Sequence, residues 1–169
     1  MPLVVADTSP LLYLSRLGLL ELLPGLYDTV WIPRGVWVEL VEHQPDAPDA
    51  ASIRAATWLR IDDAARRVPD DLRALAVVVD EGEAEAILLA EIRGADLVLL
   101  DDGAARAVAQ RRGLRPRGTL AVLVDARRAG LLPTLEDAID GLAREGFRMT
   151  PALRAWALQA AGETPRERG

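Results

Sequence analysis

Leu3-Val4-Val5-Ala6-Asp7-Thr8-Ser9-Pro10-Leu11-Leu12 reads as a strand that stops on an acid and turns at once into a helix. Leu3 to Ala6 is short, apolar and rich in valine, the pattern of a strand buried on both faces of a parallel sheet. Ser9 suits a helix N-cap, Pro10 the first helical turn and Gly18 the stop. Asp7 therefore belongs at the C-terminal end of the strand. Asp96-Leu97-Val98-Leu99-Leu100 repeats the arrangement and delivers Asp101 and Asp102 at its own C-terminal end.

Working outward, Thr29 to Ile32 closed by Pro33 reads as a second strand, because β-branched and aromatic residues favour the pleat and proline ends it. The helix expected next, Gly35 to Val41, surrounds Glu39 with apolar neighbours. Gln44 to Ala51, with two prolines, predicts a loop leading into a polar helix start. Thr57 to Ile61 suits another strand, whereas Val68 to Leu75 reads as a proline-containing connection with no assigned element. From Gly82 an apolar helix runs to Gly94, carrying Glu83 near its start. Gly103 to Gln110 reads as a helix, Leu114 to Pro116 as a short edge strand, and Thr119 to Arg128, Thr134 to Glu145 and Pro151 to Ala160 as helices. Strands alternating with helices predict an α/β fold with a mostly parallel central sheet. Residues 1–162 are expected to form a single domain, and the charged tail 163–169 to fray.

Composition removes several classes of function. All 20 basic residues are arginine, there is no cysteine, and His43 is the single histidine. Phosphate-binding loops and Schiff-base enzymes lose their lysine, zinc and thiol chemistry lose their ligands, and a Ser-His-Asp triad would rest on His43 alone. No run approaches the roughly 20 apolar residues that cross a bilayer. Without a basic N-terminal segment or cysteines, a cytoplasmic protein is expected. The net charge of -6 argues against a nucleic-acid partner only superficially. Acids that hold divalent cations are locally neutralised and then attract phosphate.

Open parallel sheets place their functional crevice beyond the C-terminal strand ends, so Asp7 and Asp101 are expected to converge there. Glu39 and Glu83, each on a neighbouring helix, can point into the same crevice. Four crowded carboxylates are costly without cations. Magnesium or manganese is the natural occupant, since the chain offers hard oxygen donors and no soft ligand set. Two such ions would serve phosphodiester hydrolysis, one activating water and the other stabilising the leaving oxygen.

These segments resemble the PIN-domain family, and most of all its DUF3368 branch, which is akin to VapC-type toxins. The resemblance is carried by Val4-Val5-Ala6-Asp7-Thr8-Ser9-Pro10-Leu11, by Ile32-Pro33 through Val36 to Glu39, by Gly82-Glu83-Ala84-Glu85-Ala86-Ile87 and by Leu99-Leu100-Asp101-Asp102. Arg106, Ala109, Gly113-Leu114, Gly118-Thr119-Leu120 and Ala129-Gly130-Leu131 follow in the same order, and the Gly-Glu-Ala-Glu-Ala-Ile segment is the most specific. The resemblance implies a three-layer α/β/α sandwich, magnesium or manganese dependence and cleavage of RNA. It gives Asp7, Glu39, Glu83 and Asp101 as the family's acids and Thr8 or Ser9 as the hydroxyl that supports the first. It also implies a homodimer, and a toxin paired with an antitoxin protein. The third acid is glutamate where many PIN nucleases have aspartate.

Several of these residues also have plainer readings. Glu83, like Glu81 and Glu85, suits a helix N-terminus through the dipole alone. Asp102 either adds to the metal site from outside or caps the helix after Gly103. Asp62, Asp63, Asp70 and Asp71 read as solvated charges, and His43 as exposed. Arg106, Arg111 and Arg112, with Arg115 and Arg117, form a stripe that either binds RNA phosphate or is a solvated face. Trp156 and Leu158 on the last helix suit a partner surface or the core. Two further functions fit the chain. One is a catalytically inactive PIN-like protein-interaction module. The other is a phosphatase with Asp7 as nucleophile, which Ser9 opposes by standing where a second acid is needed.

Overall fold

A computed structural model describes residues 1–167. The strands are β1 (Val4–Ala6), β2 (Val30–Pro33), β3 (Leu59–Asp62), β4 (Leu97–Leu99) and β5 (Pro116–Arg117). They form one sheet in the order β3-β2-β1-β4-β5, and every pairing is parallel. The chain winds outward from β1 through β2 to β3, then returns to place β4 on the other side of β1. The direction of winding therefore reverses between β1 and β4, where such sheets open a crevice at their C-terminal ends. Asp7 follows β1 there, and its N–H donates to the Leu99 carbonyl of β4 at 3.0 Å.

Side-chain alternation assigns the two faces. Val4, Ala6, Val30, Ile32 and Leu99 pack against α1 (Thr8–Arg16), α2 (Leu22–Tyr27), α4 (Pro48–Ala55), α8 (Thr119–Arg128), α9 (Leu135–Arg144) and α10 (Pro151–Ala160). Val5 and Val98 pack on the opposite face against α6 (Glu81–Arg93) and α7 (Gly103–Arg111). Leu75 of α5 (Pro69–Leu75) joins this second core. The result is the expected three-layer α/β/α sandwich.

Some elements differ from the sequence reading. α1 begins at Thr8 with Asp7 in the N-cap position, so Ser9 lies inside the helix rather than capping it. The helix after β2 is interrupted: α3 (Arg34–Trp37) passes into a π turn over Val38–Glu42, closed by the His43 N–H donating to the Val38 carbonyl at 2.9 Å. Val68 to Leu75, expected as a proline-containing connection, holds all of α5 with Val68 at its N-cap, behind a 3-10 turn at Ala64–Arg67. Asp62 is buried rather than solvated. Arg93 donates to it through Nε and Nη2 while its guanidinium stacks 4.7 Å from the Trp31 ring centroid.

The tail is anchored through its described residues. Glu163 accepts the Leu135 N–H at 2.6 Å and the Glu136 N–H at 3.1 Å, filling the first turn of α9 where helix N–H groups lack intrahelical partners. Arg127 Nε donates to the same carboxylate at 2.6 Å, and Arg166 reaches Glu136 and Asp137. The last two positions of the expected frayed tail, 168 and 169, lie outside the described residues. Glu163→Ala is expected to lower unfolding free energy by about 1–2 kcal/mol, the value of a lost cap, read as a lower urea midpoint at unchanged slope.

Candidate metal centre

Helix α6 starts with a capping box. Asp80 Oδ1 accepts the Glu83 N–H at 2.8 Å, and Glu83 Oε2 accepts the Asp80 N–H at 3.0 Å. The first turn of α6 is thereby fixed beneath Asp7. Gly82, inside that turn, leaves a small space among the acids. A Cβ at this position would lie 3.4 Å from Asp7 Oδ1, 3.5 Å from Asp80 Oδ1 and 3.7 Å from Glu39 Oε2. Three carboxylates from three elements thus surround one methyl-sized volume.

Glu39 comes to this space from the π turn, a local distortion that often marks functional positions because it re-aims side chains. Its Oε2 accepts the Thr8 hydroxyl at 2.9 Å. The supporting hydroxyl is therefore that of Thr8, and it holds the second acid rather than the first. Asp7 is 7% exposed. Burial is the main reason that its carboxyl is pushed up from 3.8 to about 7, with Asp80, Glu83 and Glu39 adding repulsion and the Thr8 N–H pulling the other way. Glu83 is also raised, chiefly by burial, against the lowering effect of the hydrogen bond from the Asp80 N–H and with smaller repulsion from Asp80 and Asp102.

Asp101 is placed differently. Its Oδ1 accepts the Thr119 N–H at 2.7 Å and its Oδ2 the Thr119 hydroxyl at 2.6 Å. Burial raises its pKa while Thr119 and Arg106 lower it, and no other acid contributes. Of the carboxylates expected to converge, Glu39 and Glu83 act on Asp7 by charge, as Asp80 does. Asp101 turns toward the start of α8, where the first N–H groups of the helix need an acceptor. Asp102 caps α7 by accepting the Ala105 N–H at 2.9 Å. Of its two readings the cap is the one made by a hydrogen bond, although its charge still reaches Glu83.

The arginine stripe is largely engaged. Arg112 holds Glu91 through two bonds of 2.7 and 2.9 Å, Arg117 holds Asp125, and Arg106 donates to the Asp101 carbonyl. Arg111 ends α7 and lines a cavity with Asp71 and Arg112. Two residues of the site escaped the sequence reading, Asp80 and Glu85. The Asp-x-x-Glu spacing of Asp80 and Glu83 is a capping-box signature and was the available signal for the first. Glu85 reads as a first-turn acid suited to the helix dipole, and the structure buries it to 1% exposure.

Among the described residues, no three acids or histidines close on one point as a finished metal cage. The donor set nonetheless fits a hard divalent ion: oxygen ligands alone, a volume at Gly82 with three carboxylates about it, and burial that suppresses the ionisation of Asp7 and Glu83. No helix among the described residues is long and apolar enough to cross a membrane.

No curated protein and no solved structure matches the chain. A family model described as DUF3368, a PIN domain, matches residues 3–163, a span that contains all five strands and every acid of the site. With a parallel sheet that reverses its winding at Asp7 and acids gathered there, the chain belongs to the DUF3368 family of PIN domains.

Proposed function

We propose that the chain is a divalent-metal-dependent endoribonuclease that hydrolyses RNA phosphodiester bonds at the acids around Gly82. PIN domains are generally nucleases and typically use divalent metal ions, which supports a hydrolase. The observation that carries the reading is the placement of Asp7, Glu39 and Asp80 oxygens about one small volume at the switch point of the sheet. Asp7, Glu39 and Asp80 would hold magnesium or manganese at Gly82, with Glu83 as a further ligand from the capping box. Asp102 extends the acidic field. Asp101, oriented by Thr119, keeps a free lone pair on each oxygen through which it would join as a further ligand. When bound, the ion supplies activation of water and charge stabilisation at the phosphodiester. The chain's own residues orient it: Thr8 fixes Glu39, the capping box fixes Glu83, and burial of Asp7 keeps bulk water from its carboxylate.

In the same reading the protein acts in the cytoplasm as the toxin half of a toxin–antitoxin pair, as a homodimer. Of the two α10 residues suited to such contacts, Trp156 is exposed, with Leu153 exposed on the same helix, whereas Leu158 is buried in the core. Purified protein is expected to cut a mixed RNA pool with magnesium or manganese and not with EDTA. A second reading, a catalytically inactive PIN-like interaction module, is favoured by the engagement of Asp101 with Thr119. It predicts no cutting with any metal, and partner binding that survives removal of all the acids.

A further inference from the structure

A cavity of about 370 Å³ opens beside the carboxylates, with Glu39, Gly82, His43, Arg66 and Glu85 in its walls. Glu85 is a buried acid that the metal reading does not use. One of its oxygens accepts the Gly35 N–H at 3.0 Å, and the other accepts Arg66 Nε at 3.0 Å. Gly35 is required for this approach, since a Cβ there would lie 2.8 Å from Glu85 Oε1. The backbone of α3 therefore packs directly on the carboxylate, and the carboxylate grips an arginine that is otherwise exposed.

A pair so exposed on one side adds little to stability. Its geometric effect is larger. Only Nε of Arg66 is used, so the two terminal nitrogens make no hydrogen bond among the described residues, while the guanidinium plane is held at the cavity wall. A fixed guanidinium with its terminal edge free is the group best shaped to take two oxygens of one phosphate. Among the stripe arginines Arg106, Arg112 and Arg117 are already engaged. Arg66 is instead held at one nitrogen, in a cavity that also contains Glu39 and Gly82 of the acid cluster.

We propose that Arg66, positioned by Glu85, binds a backbone phosphate of the RNA strand adjoining the one at the metal. This rests on the nuclease reading. The test uses full-length protein and a fluorescein-labelled single-stranded RNA of mixed sequence. Binding is followed by anisotropy across a series of salt concentrations, and cleavage is measured in parallel with magnesium. Arg66→Gln removes the charge and keeps a donor for Glu85; Arg66→Lys keeps the charge and loses the fork. Arg66→Gln is expected to weaken binding about tenfold, the effect of one charge-assisted hydrogen-bond pair, and to reduce the salt slope by roughly 0.7. Manganese affinity by calorimetry should stay unchanged. Arg66→Lys should keep the slope and recover only part of the affinity. A wild type that cuts RNA beside an Arg66→Gln variant with the same affinity and slope would overturn the proposal and leave the nuclease reading intact. Wild-type protein that neither binds nor cuts overturns both.

Discussion

Asp7→Asn is expected to lower kcat/KM for RNA cleavage by at least about 100-fold and, in the same variant, to raise the stability of the metal-free protein at pH 8. The two effects have one cause. A metal ligand contributes at least as much as the outer-shell partners whose loss costs about 10–100-fold. Without metal, however, the Asp7 carboxylate is a charge held out of water among like charges, with its pKa raised from 3.8 to about 7. Between those values the folded protein retains a proton that the unfolded chain has released. Stability of the metal-free protein therefore falls as pH rises from about 4 to about 7 and levels off above. The full span corresponds to about 4 kcal/mol, taken as an upper figure. Asparagine keeps the shape and the acceptor for the Thr8 N–H but cannot ionise. A melting temperature raised by several degrees at pH 8, with little change at pH 4, is the expected signature. A variant that is destabilised at pH 8 would show that Asp7 is held by favourable interactions instead.

Gly82→Ala is expected to abolish cleavage, again by at least about 100-fold, while the fold is kept. The new methyl would sit at ordinary contact distance, 3.4 to 3.7 Å, from Asp7, Asp80 and Glu39, so nothing in the protein need move. Alanine is also the better helix former, by about 1 kcal/mol within a helix and less in its first turn. The methyl occupies the volume that an ion would need. Cleavage assays beside thermal melts check both halves: lost activity with an unchanged or raised melting temperature supports the site, and full activity moves the ion away from Gly82. The variant is informative because it removes no carboxylate.

The layered fold was legible because its signals are local. Val4-Val5-Ala6-Asp7 and Leu97 to Asp101 each state a buried strand that ends in an acid, and the glycine and proline stops mark the helices between them. Glu163 and Asp62 were misread because charge alone suggests solvent, whereas their partners, the open first turn of α9 and Arg93, are distant in the chain. The acid set was legible as residue types, and the charges of Glu39 and Glu83 do act on Asp7. The destination of Asp101 was not. Two acids at two adjacent strand ends imply convergence only if no helix start competes, and the N–H and hydroxyl of Thr119 do compete. The π turn that aims Glu39 leaves no trace in residue pattern, because it changes the hydrogen-bond register and not the composition. Glu85 looks like its neighbours Glu81 and Glu83, and only its place opposite the Gly35 backbone separates it from them.

The most direct test of the account is anomalous diffraction from crystals of the full-length protein soaked in manganese at pH 8. The account predicts a peak bounded by Asp7, Glu39 and Asp80, above Gly82, that is absent from Asp7→Asn crystals. Manganese bound at Asp101 away from these three, or a cluster that stays empty while the same crystals' protein cuts RNA, would contradict it.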